Sequence, residues 1–75
     1  MGRLWTAAEI GKMIGITSDT VKLWERENLV PAAMRIGRTR KRVWGKSKVL
    51  MILEYARDLA GYPVPDWIFE QIERS

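Results

Sequence analysis

The sequence predicts a mainly α-helical protein with a small β-hairpin, and two observations lead to this prediction. Residues 6–28 contain two short helix patterns separated by a three-residue turn, and residues 34–44 contain two short strand patterns around a basic turn. Two additional C-terminal helices are predicted at 46–60 and 65–73. At 75 residues, we expect the chain to form a single domain, residues 1–75, with one modest core.

The first helix is expected to begin after Thr6, because Thr6 and Glu9 have the spacing of a capping box. Apolar residues then follow at helical spacing as far as Gly15, a residue that suits the left-handed conformation in which many helices end. The predicted helix therefore covers residues 7–14.

The second helix is expected to begin after Thr17, a second N-cap residue. Val21 and Trp24 share its apolar face, and Asn28 is expected to end it before Pro31 prevents continuation. Two residues, Leu29 and Val30, are expected to return to the core. Two helices joined by a short turn that contains glycine form the helix-turn-helix pattern.

The hairpin is predicted from two short strand patterns, residues 34–36 and residues 42–44, around the basic turn 37–41. Ile36 and Val43 are expected to face the core as a cross-strand pair, although one sequence leaves the register and the turn type open.

Apolar periodicity supports both later helices. The third helix has apolar residues at helical spacing, and the pattern ends shortly before Gly61. These residues are Val49, Ile52, Leu53, Ala56 and Leu59. Pro65 suits the first turn of the last helix, whose apolar residues are Trp67, Ile68 and Ile72.

The net charge of +4 is distributed unevenly. Residues 1–34 are neutral, residues 35–48 carry seven basic and no acidic side chains, and residues 49–75 have a net charge of −3. The charge of +7 in this short segment exceeds the net charge of the whole chain, a pattern typical of a surface that binds a phosphate backbone. The alternative is a solvated charged hairpin.

Several classes of protein are disfavoured by what the sequence lacks. Without Cys or His there is no disulfide framework and no usual zinc ligand, so we expect no metal and no cofactor. A nucleophile with a positioned base is missing too, and Glu54 and Asp58 have the spacing of a surface pair, so we do not expect an enzyme. No signal peptide or membrane span is recognisable, and we expect a soluble cytoplasmic protein that is not associated with a membrane.

Three stretches together carry a resemblance to a known family: residues 6–17, residues 20–27, and Leu29-Val30-Pro31. Over residues 4–60 the chain resembles the MerR-like winged helix-turn-helix. Within that superfamily, its small size, the run Thr-Val-Lys-Leu-Trp in the second helix and the basic hairpin are similar to phage excisionases, also called recombination directionality factors. The chain departs from MerR regulators because it has neither a long dimerisation helix nor an effector domain.

The resemblance implies sequence-specific binding to double-stranded DNA, with the second helix in the major groove and the hairpin, or wing, along the minor groove or its phosphates. The recognition-helix residues that it implies are Ser18, Thr20, Lys22 and Arg26. The implied wing residues are Arg35, Arg38, Thr39, Arg40, Lys41 and Arg42. An excisionase has no active site. It binds and bends DNA at attachment sites, often in several copies that associate with one another on the DNA, and directs an integrase toward excision. The resemblance therefore also implies a location in the host-cell cytoplasm, in association with the nucleoid.

Alternatives remain open from the sequence. A phage or plasmid transcriptional regulator has the same fold, and the fold also occurs in terminase subunits. A protein-interaction adaptor would instead use Trp67, Ile68 and Ile72. Lys22 and Arg26 have an alternative role as surface charges that pair with Glu25 and not with DNA. Ser18 and Thr20 have a purely structural alternative as residues that start a helix. We expect Trp24 and Trp44 to lie in the core and not to act as stacking platforms for bases.

Overall fold

A computed structural model describes residues 3–75, and the first two residues of the predicted domain 1–75 lie outside the described residues. The helix α1 covers Ala7–Ile14. The Thr6 hydroxyl accepts from the Glu9 backbone N–H at 3.2 Å, and the Glu9 carboxylate accepts from the Thr6 N–H at 3.0 Å. Gly15 ends the helix at φ 92°, so the predicted capping box and left-handed glycine are both confirmed.

The turn between the first two helices packs tightly against α1 at Gly11. The Ile16 backbone N–H donates to the Gly11 carbonyl at 2.9 Å. A Cβ atom on Gly11 would lie 2.6 Å from the Ile16 carbonyl oxygen, closer than van der Waals contact permits. Gly11 therefore allows the turn to pass directly over the helix.

The second helix, α2, covers Ser18–Arg26 and begins at the predicted N-cap, where the Thr17 hydroxyl accepts from the Thr20 N–H. Asn28 has φ 61°, in the left-handed conformation expected at the end of this helix. Val30 is buried as predicted, but the prediction for Leu29 is wrong, since its side chain is 45% exposed. The left-handed turn at Asn28 directs Leu29 outward and returns only the next residue to the core.

Three strands form one antiparallel sheet in the order β1-β3-β2. They are β1 (Trp5–Thr6), β2 (Met34–Ile36) and β3 (Lys41–Trp44). The sequence did not predict β1, because two residues are too short to show an alternating pattern. β1 makes β3 the central strand of the sheet.

Val43 is buried as predicted, but its predicted pairing with Ile36 and the burial of Ile36 are wrong. Ile36 lies opposite Lys41 and is 44% exposed, whereas Val43 lies opposite Met34 and, on its other side, opposite Thr6. The cause is the turn, which has four residues, Gly37–Arg40, so that β3 begins one residue earlier than predicted. Ile36 is therefore paired two residues earlier along β3 than predicted, because register depends on the length of the turn.

The helix α3 covers Lys46–Asp58 and α4 covers Asp66–Arg74. Both are confirmed with small shifts from 46–60 and 65–73: α3 ends two residues earlier, and Pro65 is the N-cap of α4 and not part of its first turn. Leu59 is 78% exposed, so its predicted core position is wrong. The chain has already left the helix there, and the Tyr62 N–H donates back to the Ala56 carbonyl.

One apolar core joins all four helices and the sheet. Its largest fully buried side chains are Trp5, Trp44, Ile10, Ile52, Leu53, Val21 and Val49. The rings of Trp24 and Tyr55 pack edge to face, with centroids 5.0 Å apart. The Trp44 indole N–H donates to the Pro31 carbonyl at 2.8 Å, which satisfies its polar atom inside the core. Trp24 and Trp44 are thus core residues, as predicted.

Candidate nucleic-acid interface

A cationic groove of about 440 Å³ lies between α2, the β2–β3 hairpin and the start of α1. Its lining residues are Thr6, Ala7, Ala8, Ser18, Lys22, Arg35, Thr39, Arg40, Lys41 and Arg42. Five of these residues are basic and none is acidic. Helix and hairpin therefore present their positive charge to one shared concave surface, which attracts a polyanion.

A second depression, of about 580 Å³, adjoins the cationic groove on the far side of Lys22. Lys22, Arg35 and Arg42 line both depressions, and Arg26 lines the second. Asp19 and Glu25 also line the second depression, so its charge is mixed.

The α2 candidates differ in what their side chains do. Ser18 and Lys22, four residues apart, project into the cationic groove, and Arg26 continues the same row into the second depression. Thr20 contributes to neither lining, and its hydroxyl lies 3.1 Å from that of Thr17. In the free protein Thr20 thus makes a local contact at the start of α2, and its predicted contact with DNA stays a prediction.

The wing candidates lie on or near the four-residue turn. Gly37 has φ 72° and Arg40 has φ 52°, and the Arg40 N–H donates to the Gly37 carbonyl at 3.2 Å. The left-handed conformation costs a residue with a side chain about 1 kcal/mol. It aims Arg40 into the cationic groove beside Lys41 and Thr39. Arg38 is exposed at the turn but does not line the groove.

Arg42 has a defined partner. Its Nε–H donates to the Glu25 carboxylate at 2.8 Å, and the side chain is 34% exposed. Glu25 thus pairs with the hairpin and not with Lys22 or Arg26, the alternative that the sequence left open. This contact joins residues 17 positions apart, and no local sequence pattern predicts it.

The start of α1 contributes lining residues that sequence reasoning missed. Thr6, Ala7 and Ala8 form one wall of the cationic groove, because β1 pairs with β3 and holds this segment beside the hairpin. The capping box located Thr6 at a helix start, but the strand pairing that brings it to the groove left no signal in the sequence.

Glu9 lies in the first turn of α1, next to these lining residues. The backbone N–H of Thr6 donates to the Glu9 carboxylate, and the Arg3 guanidinium lies 2.8 Å from it. The hydrogen bond and the nearby positive charge lower the pKa of Glu9 below its ordinary value, whereas partial burial acts in the opposite direction.

Away from the groove, Trp67 is 61% exposed on α4, whereas Ile68 and Ile72 are buried. The adaptor surface predicted from these three residues is therefore reduced to Trp67. In residues 3–75 no group of three or more acidic side chains is arranged to hold a metal ion. None of the helices that the structure describes has both the length and the apolar character needed to cross a bilayer.

Comparison with known proteins gives one informative result. No protein-family profile matches the sequence, and no curated protein matches it. The chain does resemble a solved structure, the crystal structure of HiNmlR, described as a MerR family regulator lacking the sensor domain, bound to promoter DNA. The two share 22% sequence identity with a TM-score of 0.53; the match covers 96% of this chain and 51% of that one, so this chain spans about half its length.

At this identity the similarity establishes the fold alone. The chain has a winged helix-turn-helix fold, mainly α-helical with a small antiparallel sheet. More particularly, its fold is similar to that of a MerR family regulator, as the sequence resemblance implied.

Proposed function

We propose that this chain is a single domain that binds double-stranded DNA in a sequence-specific manner, with α2 in the major groove and the hairpin against the phosphates. The observation that supports this most is the cationic groove, in which α2 and the hairpin combine five basic residues with no acidic one. The structural neighbour, described as bound to promoter DNA, supports the same assignment.

The dimensions of B-DNA suit this arrangement. The major groove is about 12 Å wide and admits one helix, whose outward residues reach the base edges. On α2 those residues are Ser18, Lys22 and Arg26, which share one face. The hairpin tip carries Arg38, Arg40 and Lys41, and cations on such a turn bind phosphates and add affinity without reading sequence.

Two biological roles use this binding mode. The sequence resemblance supports a phage excisionase, which binds neighbouring sites, associates with itself on the DNA, bends it and assists an integrase. The structural neighbour supports a transcriptional regulator. Footprints separate the two roles, because direct repeats are expected for the excisionase and inverted repeats, spaced by a helical turn, for a dimeric regulator.

Salt dependence tests the proposal itself. If about five to seven phosphates are neutralised, log K for a selected duplex is expected to fall with log salt with a slope of roughly −5 to −6. A flat response would contradict DNA binding. The same titration with random duplex measures the specificity ratio, which means the affinity for the selected duplex divided by that for random duplex.

Lys22→Ala tests the recognition role of α2. We expect it to lower the specificity ratio by about tenfold to 100-fold, because a base contact is worth about 1–3 kcal/mol of discrimination. Lys12→Ala is the matched control, since Lys12 is exposed on α1 outside both depressions. Equal losses for selected and random duplex in Lys22→Ala would remove Lys22 from the recognition surface.

A further inference from the structure

The Glu25 carboxylate bonds to β3 and to the residue that precedes β2. One oxygen, Oε1, accepts from Arg42 Nε on β3 at 2.8 Å, and the other, Oε2, accepts from the backbone N–H of Ala33, just before β2, at 2.7 Å. The Glu25 side chain is only 11% exposed. A single residue of α2 is thus bonded to each arm of the hairpin.

Arg42 is placed differently from the other wing cations. It lies directly opposite Arg35 in the β2–β3 register, so both side chains are on the same face of the hairpin. Two like charges at this position repel each other, and Glu25 compensates one of them. Arg35, Arg40 and Lys41 line the groove and belong to none of the ion pairs found in residues 3–75.

The hairpin has separate attachments to the rest of the fold. β3 pairs with β1, and the Trp44 indole, at the end of β3, bonds to the Pro31 carbonyl. These contacts attach the base of the hairpin to β1 and to Pro31, whereas the Glu25 contacts with Ala33 and Arg42 attach the hairpin to α2. We therefore expect that loss of the Glu25 contacts leaves the hairpin attached to the sheet but lets it pivot relative to α2.

We propose that Glu25 and Arg42 are positioning residues that set the wing relative to the recognition helix, and that Arg42 does not bind phosphate. This inference rests on the proposed function. With the pair intact, Lys22 on α2 and the cations of the turn are held at a fixed separation before DNA arrives. Such preorganisation favours the duplex whose base edges and phosphates match that separation. Random duplex, held mainly by charge, gains less.

Arg42→Gln and Lys41→Gln form the central comparison, because they remove equal charge from adjacent residues. We expect Lys41→Gln to reduce the steepness of the salt dependence by about 1 and to weaken selected and random duplex alike. Arg42→Gln is expected to leave the slope unchanged and to lower the specificity ratio about tenfold. A loss of stability alone would not separate the two duplexes in this way.

Glu25→Gln tests the partner from the α2 side. It raises the net charge by one and is still expected to lower the specificity ratio about tenfold, like Arg42→Gln. Glu27→Gln raises the net charge equally at the exposed end of α2 and is expected to leave the ratio unchanged. The double variant Glu25→Gln/Arg42→Gln is expected to be no worse than either single variant, because both break one contact.

Two results would overturn the inference. One is a reduction of the slope by about 1 in Arg42→Gln with an unchanged specificity ratio, which would make Arg42 a phosphate ligand. The other comes from the free protein: residual dipolar couplings that give the hairpin the same orientation and order relative to α2 in Glu25→Gln as in wild type. Should Glu25→Gln fail to fold, Arg42→Gln is measured in the same two ways.

The second measurement needs no DNA, so it separates the two proposals. If wild type shows no salt-dependent duplex binding, the proposed function fails, while an altered hairpin orientation in Glu25→Gln would still support the positioning contact. If wild type binds and Arg42→Gln behaves like Lys41→Gln, only the positioning proposal fails.

Discussion

The side of the molecule formed by α2 and the hairpin contrasts with the side formed by α3 and α4. Residues 35–48 carry seven basic and no acidic side chains, whereas residues 49–75 have a net charge of −3. Neither depression beside α2 is lined by a residue of α3 or α4. Those two helices instead supply six buried core residues, which are Val49, Ile52, Leu53, Ala56, Ile68 and Ile72. The cationic surface thus belongs to α2 and the hairpin, whereas α3 and α4 contribute to the shared core and to neither depression. On the proposed function, this unequal charge would orient the protein on the duplex.

The largest effect on DNA binding is expected at the turn. Arg38→Ala, Arg40→Ala and Lys41→Ala together should weaken binding to every duplex roughly 1000-fold, at about 1.5 kcal/mol for each charged contact, and should flatten the salt slope by about 3. Fluorescence anisotropy over a salt series measures both quantities. The control triple Lys12→Ala/Lys48→Ala/Arg74→Ala removes the same charge from exposed sites outside the groove. Equal losses in both triples would mean that net charge alone, and not the groove, drives binding.

Substitutions on the side formed by α3 and α4 are expected to change the stability of the fold and not its binding. Ile52→Ala, at a fully buried position of α3, is expected to lower the free energy of unfolding by about 3 kcal/mol, because it removes apolar contacts and leaves a cavity. Met51→Ala, at the 52% exposed neighbouring position, should change it by less than about 0.5 kcal/mol. Urea denaturation gives both values. The folded Ile52→Ala protein should keep its duplex affinity, and a loss of affinity comparable to that of the turn variants would break the separation of roles.

Gly11→Ala probes the junction of the helix-turn-helix. The new methyl group would meet the Ile16 carbonyl oxygen at 2.6 Å, so we expect a loss of about 2 kcal/mol in unfolding free energy. Gly45→Ala is the control, because its Cβ would contact nothing within 4 Å. Thermal unfolding of the two variants side by side tests this, and similar midpoints would show that the turn moves away from α1 at little cost.

The smallest effect is a pH dependence at Glu9. Because its pKa is lowered in the folded protein, Glu9 stabilises the fold above its ordinary pKa, near 4.5, and this stabilisation disappears as pH falls through the lower folded value. Glu9→Gln is expected to cost about 0.5 kcal/mol or less at neutral pH, since solvent screens the exposed pair with Arg3, and to flatten the acid limb of the stability curve. Glu54→Gln, at an exposed position, should leave that limb unchanged.

The sequence predicted the features that depend on local chemistry. Both caps of α1, the apolar face of α2 and the α3 core positions from Val49 to Ala56 follow from residue types at fixed spacing, and they were confirmed. Leu59, which lies beyond the end of α3, was the exception. The failures involve tertiary pairing. β1 forms because β3 lies beside it, and the partner of Ile36 depends on the length of the hairpin turn, which one sequence does not fix.

In the candidate site, too, local features were predictable from the sequence and tertiary contacts were not. Clustered charge predicted which segment would be cationic, and the structure brings Lys22 of α2 and Arg40 of the turn to a common groove. The contacts that hold the two elements together, from Glu25 to Ala33 and Arg42, join residues far apart in the chain. Sequence spacing says nothing about them.

The central position of β3 in the sheet has a consequence for how the wing can vary. β3 is hydrogen-bonded on both sides, whereas β2 is an edge strand and the turn Gly37–Arg40 projects beyond both. Residues added at the turn lengthen a loop whose closure costs only about 0.6 kcal/mol for each doubling, and they displace no core side chain. If the hairpin binds DNA as proposed, the span of duplex that it covers is therefore adjustable through insertions, independently of the helices.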